Sequence, residues 1–123
     1  GIHPGYGGTQ RLIRLIGMGH TLALVLGARE IDAETARLWG LVDFVTPAGE
    51  AETTALRLAQ EIAGYAPLAL AAAKQAIRQG ADIALPAGLD LERESFIACA
   101  TSADFDEGRR AFIERRAPVF SGR

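Results

Sequence analysis

The sequence predicts a mainly α fold of about seven helices with one short strand. Three observations lead there. Apolar residues recur at helical spacing through most of the 123 residues. Glycines at 17, 27, 40, 64 and 80 punctuate these periodic stretches as helix stops. Only Leu41-Val42-Asp43-Phe44-Val45 reads as a strand, β-branched and closed by Pro47.

Taken in order, Thr9 or Gly8 caps a first helix with Leu12, Ile13, Leu15 and Ile16 inside, and Gly17 ends it. Residues 19–26 form a second short helix, stopped by Gly27. Asp32 is a good N-cap for a third, which carries Ala33, Ala36 and Leu38 and places Gly40 at the C′ position. The strand follows. Residues 50–63 form a longer helix with Leu56, Ala59 and Ile62 on one face. Pro67 suits the first turn of the next, which buries Leu70, Ala73 and Ile77 and ends at Gly80. Residues 82–88 read as irregular. Leu89, Glu92, Phe96, Cys99 and Ala100 mark another helix. Asp104 with Glu107 resembles a capping box opening the last helix, which Pro118 ends. The expected division places residues 1–48 in one region and 49–123 in a helical region not clearly separable from it. A single strand makes no sheet, so residues 41–45 are either a short edge or pair with other sequence.

At 49% hydrophobic residues and a mean hydropathy of +0.12, the chain is apolar for its size. This excess suggests surface buried against a partner, a second copy or a further segment. A net charge of -2 argues against nucleic-acid binding, which needs an excess of Lys and Arg. One cysteine excludes an internal disulfide and a cysteine-based zinc cluster; a reducing, cytoplasmic setting is expected. No apolar run reaches the roughly 20 residues of a membrane helix. Gly1 in place of an initiator Met suggests a fragment or a processed chain.

Pro4-Gly5-Tyr6-Gly7-Gly8, just before a helix, is the densest motif. Such glycines either make a tight packing turn or aim backbone N–H groups at a ligand oxygen. No Gly-Lys-Ser/Thr follows, and Gln10 occupies the third glycine position of a dinucleotide fingerprint, so neither phosphate-binding loop is present. His3 and His20 lack carboxylate partners at metal or triad spacing and read as structural or solvated. Cys99, beside Phe96, reads as a small core residue. The carboxylates Asp82, Asp90, Glu92, Glu94, Asp104, Asp106 and Glu107 fall mostly at helix starts, where they complement the dipole. Arg109, Arg110, Arg115, Arg116 and Arg123 form a late basic cluster. Phe112 and Arg115 stand three apart, so an aromatic ring and a guanidinium share a helical face. That pair suits stacking on a base and bidentate bonds to phosphate, although a charged helix end accounts for the same residues.

Read together, these segments resemble the enoyl-CoA hydratase/isomerase (crotonase) superfamily. The matching pieces are Gly1-Ile2-His3-Pro4-Gly5-Tyr6-Gly7-Gly8-Thr9-Gln10-Arg11-Leu12, Leu26-Gly27, Ile31-Asp32-Ala33 and Ala36-Arg37-Leu38-Trp39-Gly40-Leu41-Val42-Asp43. Ala71-Ala72-Ala73-Lys74 and Asp104-Phe105-Asp106-Glu107-Gly108-Arg109-Arg110-Ala111-Phe112-Ile113-Glu114-Arg115-Arg116 complete the set. Each is weak alone; the ordered set is specific.

The resemblance implies the C-terminal half of a larger subunit, built as a ββα spiral plus a helical trimerisation region. The catalytic glutamates and the two oxyanion N–H donors of such an enzyme lie in the other half. The isolated chain is therefore expected to be inactive. By the same resemblance, Gly5 matches the glycine whose N–H holds the catalytic water, which favours the ligand-facing reading of the turn. Phe112 and Arg115 match a pair that contacts coenzyme A, with Arg115 at a position often occupied by Lys. The implied substrate is an acyl-CoA thioester, as in fatty acid metabolism, with coenzyme A as part of the substrate and no other cofactor or metal. The implied partners are the subunit's own N-terminal half and further copies in a homotrimer or hexamer, without nucleic acid or membrane. Two alternatives are a non-catalytic coenzyme A-binding or oligomerisation module and a generic helical domain.

Overall fold

A computed structural model describes residues 1–123. The order is α1 (Gly8–Gly27), α2 (Ala33–Leu38), α3 (Ala51–Ala63), α4 (Pro67–Gly80), α5 (Leu85–Ala100) and α6 (Ala103–Glu114). Backbone contacts divide the chain into two compact units, Gly1–Ala55 and Leu56–Arg123, with the division inside α3.

Six helices stand where seven were expected, and the reason is Gly17. The two predicted N-terminal helices join as one element bent at that residue, whose φ of 72° and ψ of 171° are not helical. This region of backbone space is essentially open to glycine alone. The Gly17 carbonyl accepts from the hydroxyl of Thr21, at 2.7 Å, and Thr21 is buried. Gly17 is thus a kink rather than a stop, with a hydroxyl one turn on bonded to its carbonyl. Ile16, beside the bend, is one of the few buried apolar residues.

The start of α2 follows its sequence closely. Asp32 accepts a hydrogen bond from the Thr35 N–H at 2.7 Å, the N-cap geometry. At the other end the Gly40 N–H donates to the Arg37 carbonyl and the Leu41 N–H to the Ala36 carbonyl, a Schellman turn. Trp39 stacks on His20 with ring centroids 4.0 Å apart, so His20 has the structural role expected of it. Residues 41–45 form no strand. A strand exists only through a ladder, and the chain contains no second strand to supply one.

In the second unit, α4 and α5 pack together. The helix α5 begins at Leu85 with Pro86 in its first turn, so part of the segment read as irregular is helical. A proline so close to a helix start marks the start itself, because its missing N–H has no helical partner there. The apolar residues predicted to be buried on α3 and α4 are mostly open: Leu56, Ile62 and Ile77 are exposed, and Leu70 is half-buried.

The largest departure from expectation lies at α6. Its N-cap is Ser102, which accepts from the Phe105 N–H at 3.1 Å, not Asp104. Asp104 is buried instead and accepts from Ser121 N–H at 2.6 Å and Gly122 N–H at 2.8 Å. The Asp104 N–H donates to the Arg123 carbonyl at 2.9 Å. Glu107 takes a two-pronged ion pair from Arg116, at 2.6 and 3.0 Å, and the Val119 N–H at 2.9 Å. The apparent capping box is therefore a clamp that folds residues 116–123 back along the helix. These charge-assisted bonds are the strong kind. The Arg116 fork and the Val119 N–H hold the Glu107 carboxyl down from 4.5 to about 2. The Ser121 N–H does most to hold Asp104 below its usual value.

Two predictions follow from these ends. Gly17→Ala forces a side chain into glycine-only backbone and is expected to cost about 1–3 kcal/mol, read from the urea midpoint. The clamp makes stability pH-dependent. A carboxyl depressed in the folded state stabilises fully above its unfolded value and loses that stability as pH falls through the folded one. The Glu107 contribution is therefore complete above about pH 4.5 and lost towards pH 2. Urea midpoints measured across that window are expected to fall, and to fall less steeply in Glu107→Gln.

Candidate active-site turn and nucleotide-contact helix

The glycine-dense turn reverses direction through two consecutive left-handed residues, Tyr6 at φ 52° and Gly7 at φ 82°. Arg11, one turn into α1, holds this shape by donating to the Tyr6 carbonyl at 2.7 Å. The left-handed backbone at Gly7 favours glycine; a Cβ there would lie 2.5 Å from the Arg11 Nη1 and displace that guanidinium from the turn. Gly7, not Thr9 or Gly8, takes the N-cap position, and no side chain caps the helix.

Gly5 accepts from the Gly8 N–H through its carbonyl at 3.1 Å, while its own N–H makes no hydrogen bond within the chain. Nothing lies within 4 Å of where a Gly5 Cβ would stand. The open side faces a hollow of about 730 Å³ lined by Gly1, Ile2, His3, Pro4, Gly5, Val25 and Leu26. The turn thus leaves the Gly5 N–H without a partner in the chain, as it does those of Tyr6 and Gly7, beside an uncrowded space; such unpaired donors are what holding an oxygen atom needs. No carboxylate lines that space. His3 donates from Nδ1 to the Pro4 carbonyl at 2.9 Å, the carbonyl being able only to accept.

A second hollow, of about 450 Å³, lies against the bend of α1 and has an apolar wall of Ile13, Met18, Leu22, Val25 and Leu26. Sequence reading missed it. The signal was present as two apolar helical faces flanking Gly17, but only the bend turns them into one wall.

The nucleotide-contact candidates belong to the second unit. Phe112 is 85% exposed on the last turn of α6. Arg115 lies just past the helix, at φ 55° and ψ 41°. Its N–H still bonds back to the Ala111 and Phe112 carbonyls, but its own backbone is left-handed rather than helical. Its guanidinium has no hydrogen bond or ion pair in the chain. Arg116 is committed, to Glu107 and, at 2.6 Å, to Glu114. These carboxylates hold its guanidinium even more firmly protonated than usual. Arg109 and Arg110 line a separate hollow with Asp106 and Ile113. The late arginines therefore differ in role, and Arg115 is the one at the helix end left open to an outside anion.

Of the other candidates, Asp90 pairs with Arg93 at 2.7 Å on the surface of α5. Cys99 is a free, half-buried thiol on the same helix. No group of three or more His, Cys, Asp and Glu is placed to hold a metal ion. No helix is long and apolar enough to cross a membrane.

The family model for enoyl-CoA hydratase/isomerase matches residues 1–123. The chain is 47% identical over 123 residues to 2,3-dehydroadipyl-CoA hydratase of Escherichia coli (strain K12), covering all of this chain and 48% of the relative. It is 41% identical over 116 residues to short-chain-enoyl-CoA hydratase of Clostridium acetobutylicum, covering 94% of this chain and 44% of the relative. The crystal structure of an enoyl-CoA hydratase from Bacillus anthracis superposes with a TM-score of 0.94 at 41% identity, covering 99% of this chain and 47% of that one. The chain spans about half the length of the relatives it matches. These shares fix how much of a relative it accounts for; the expectation of a C-terminal half rests on motif order alone. With the match running through every residue from the glycine turn to the clamped tail, the chain belongs to the enoyl-CoA hydratase/isomerase family.

Proposed function

We propose that this chain supplies the helical portion of an enzyme that adds water to the double bond of an enoyl-CoA thioester. The observation that carries this reading is the family match over all 123 residues, together with relatives named as hydratases. In this reading the free Gly5 N–H helps hold the attacking water, whose proton is taken by a carboxylate outside this chain's turn. Arg115 pairs with a phosphate of coenzyme A, and Phe112 offers a face to its base. Coenzyme A enters as part of the substrate; the reaction needs no other cofactor. The exposed apolar residues of α3 and α4 pack against the remainder of the subunit or further copies in a trimer or hexamer. One half-buried free thiol suits a reducing compartment such as the cytoplasm.

The 123 residues alone are proposed to be inactive, because no carboxylate lines the space at Gly5. A crotonyl-CoA hydration assay on the isolated chain is expected to stay at the uncatalysed rate; clear turnover refutes this. Phe112→Ala and Arg115→Ala are each expected to weaken coenzyme A binding in the intact protein about tenfold, a loss near 1.4 kcal/mol, by calorimetry. A non-catalytic coenzyme A-binding or oligomerisation module is the alternative. It predicts tight coenzyme A binding, or a defined oligomer in sedimentation, with no turnover by the intact protein.

A further inference from the structure

The ends of α2 and α6 are the same turn built from different residues. In each, an N–H bonds back five residues: Leu41 to the Ala36 carbonyl at 2.9 Å, and Arg116 to the Ala111 carbonyl at 3.0 Å. In each, the residue just before is left-handed. At α2 it is Gly40, at φ 79°; at α6 it is Arg115, at φ 55°. Glycine takes that position without strain; a residue with a side chain takes it at a cost that other contacts must offset, and Ala28 does so too at the end of α1, at φ 46°, where the Arg29 N–H bonds back to the Leu24 carbonyl at 3.3 Å.

What offsets that cost at Arg115 is the chain that follows it. Arg116 is gripped by Glu107 through two bonds and by Glu114 through a third. Val119 is held by Glu107, and Ser121 and Gly122 by the buried Asp104. All of these anchors lie upstream of Arg115, within α6 itself. A helix that ran on through Arg115 would carry residues 116–122 away from them. The clamp therefore requires the left-handed turn, a turn that Ala28 also makes without one.

We propose that Glu107 and Asp104 are positioning residues for Arg115. By pulling residues 116–122 back along α6 they hold Arg115 in its left-handed turn. This sets the direction of a guanidinium that has no partner of its own, three residues past the exposed Phe112. The occupant is the phosphate-bearing nucleotide of coenzyme A, so the proposal rests on the function proposed above. Neither carboxylate touches the ligand. Arg116, the adjacent cation, is withheld from it by Glu107 and Glu114. Without the clamp, Arg115 relaxes to helical backbone and its side chain leaves that direction.

Two measurements on the intact protein test this: amide exchange at Val119, Ser121 and Gly122, and the Kd for coenzyme A. Glu107→Gln is expected to speed exchange at those amides about tenfold and to weaken coenzyme A binding about fivefold, with unchanged far-UV dichroism. Arg116→Lys keeps the charge but loses the fork; it is expected to move both readouts the same way, and it serves if Glu107→Gln does not fold. Unchanged exchange in both variants overturns the clamp. Faster exchange with parental coenzyme A affinity, while Arg115→Ala weakens binding, overturns the positioning role alone. Parental affinity in both Arg115→Ala and Phe112→Ala removes the nucleotide reading and this proposal with it, a pattern distinct from the other two.

Discussion

Helix ends, rather than a core, fix the geometry of this chain. Ile16, Ala36 and Ala111 are its buried apolar residues, and no large side chain is fully enclosed. Burying a Leu or Ile side chain is worth about 1.5–3 kcal/mol, but here most such residues on α3, α4 and α5 stay exposed. What is specified closely is where each helix starts, bends or stops. Asp32 and Ser102 cap by accepting the N–H groups of Thr35 and Phe105. Gly17 bends α1, with the Thr21 hydroxyl bonded to its carbonyl. Asp104 and Glu107 anchor the tail. Both candidate sites sit at such ends: the glycine turn at the start of α1, and Arg115 just past α6.

This pattern explains what the sequence made legible. Asp32 and Gly40 were readable because their partners lie within five residues, Thr35 on one side and Arg37 and Ala36 on the other. Gly17 was half readable. A glycine announces a break in helical backbone, but whether the helix resumes depends on Thr21 and on packing at Ile16. Residues 41–45 have strand composition, yet a strand is a pairing and not a composition. The Asp104–Glu107 spacing imitates a capping box because both patterns put acids in a first turn. The distinguishing partners, Ser121 and Gly122, lie 17 and 18 residues away, beyond any local rule. The family motif was readable throughout, since it resides in residue order and not in geometry.

The two candidate sites use opposite means to offer a donor. At Gly5 the donor is a backbone N–H, fixed by the left-handed pair Tyr6 and Gly7 and by the Arg11 bond to Tyr6. The donor itself is backbone, which suits holding a small oxygen-bearing group at a defined point. At Arg115 the donor is a long, flexible side chain whose own contacts fix nothing. Its aim is inherited from a strained backbone, and that strain is sustained by carboxylates bonded to other residues.

Adjacent arginines show how that arrangement sorts charge. Arg116 is tied to two carboxylates, so its charge is largely cancelled where it stands and its forks are spent. Arg115 keeps its full charge and all its donors. Sequence alone presents the two as equivalent members of one basic cluster. Glu107 separates them: it takes the second arginine, and the turn that this capture enforces carries the first outwards. One buried-side carboxylate thereby decides which of two identical cations stays open to a phosphate. An acid-rich helix start and a base-rich helix end, each ordinary alone, then act as one unit because the tail folds back to join them.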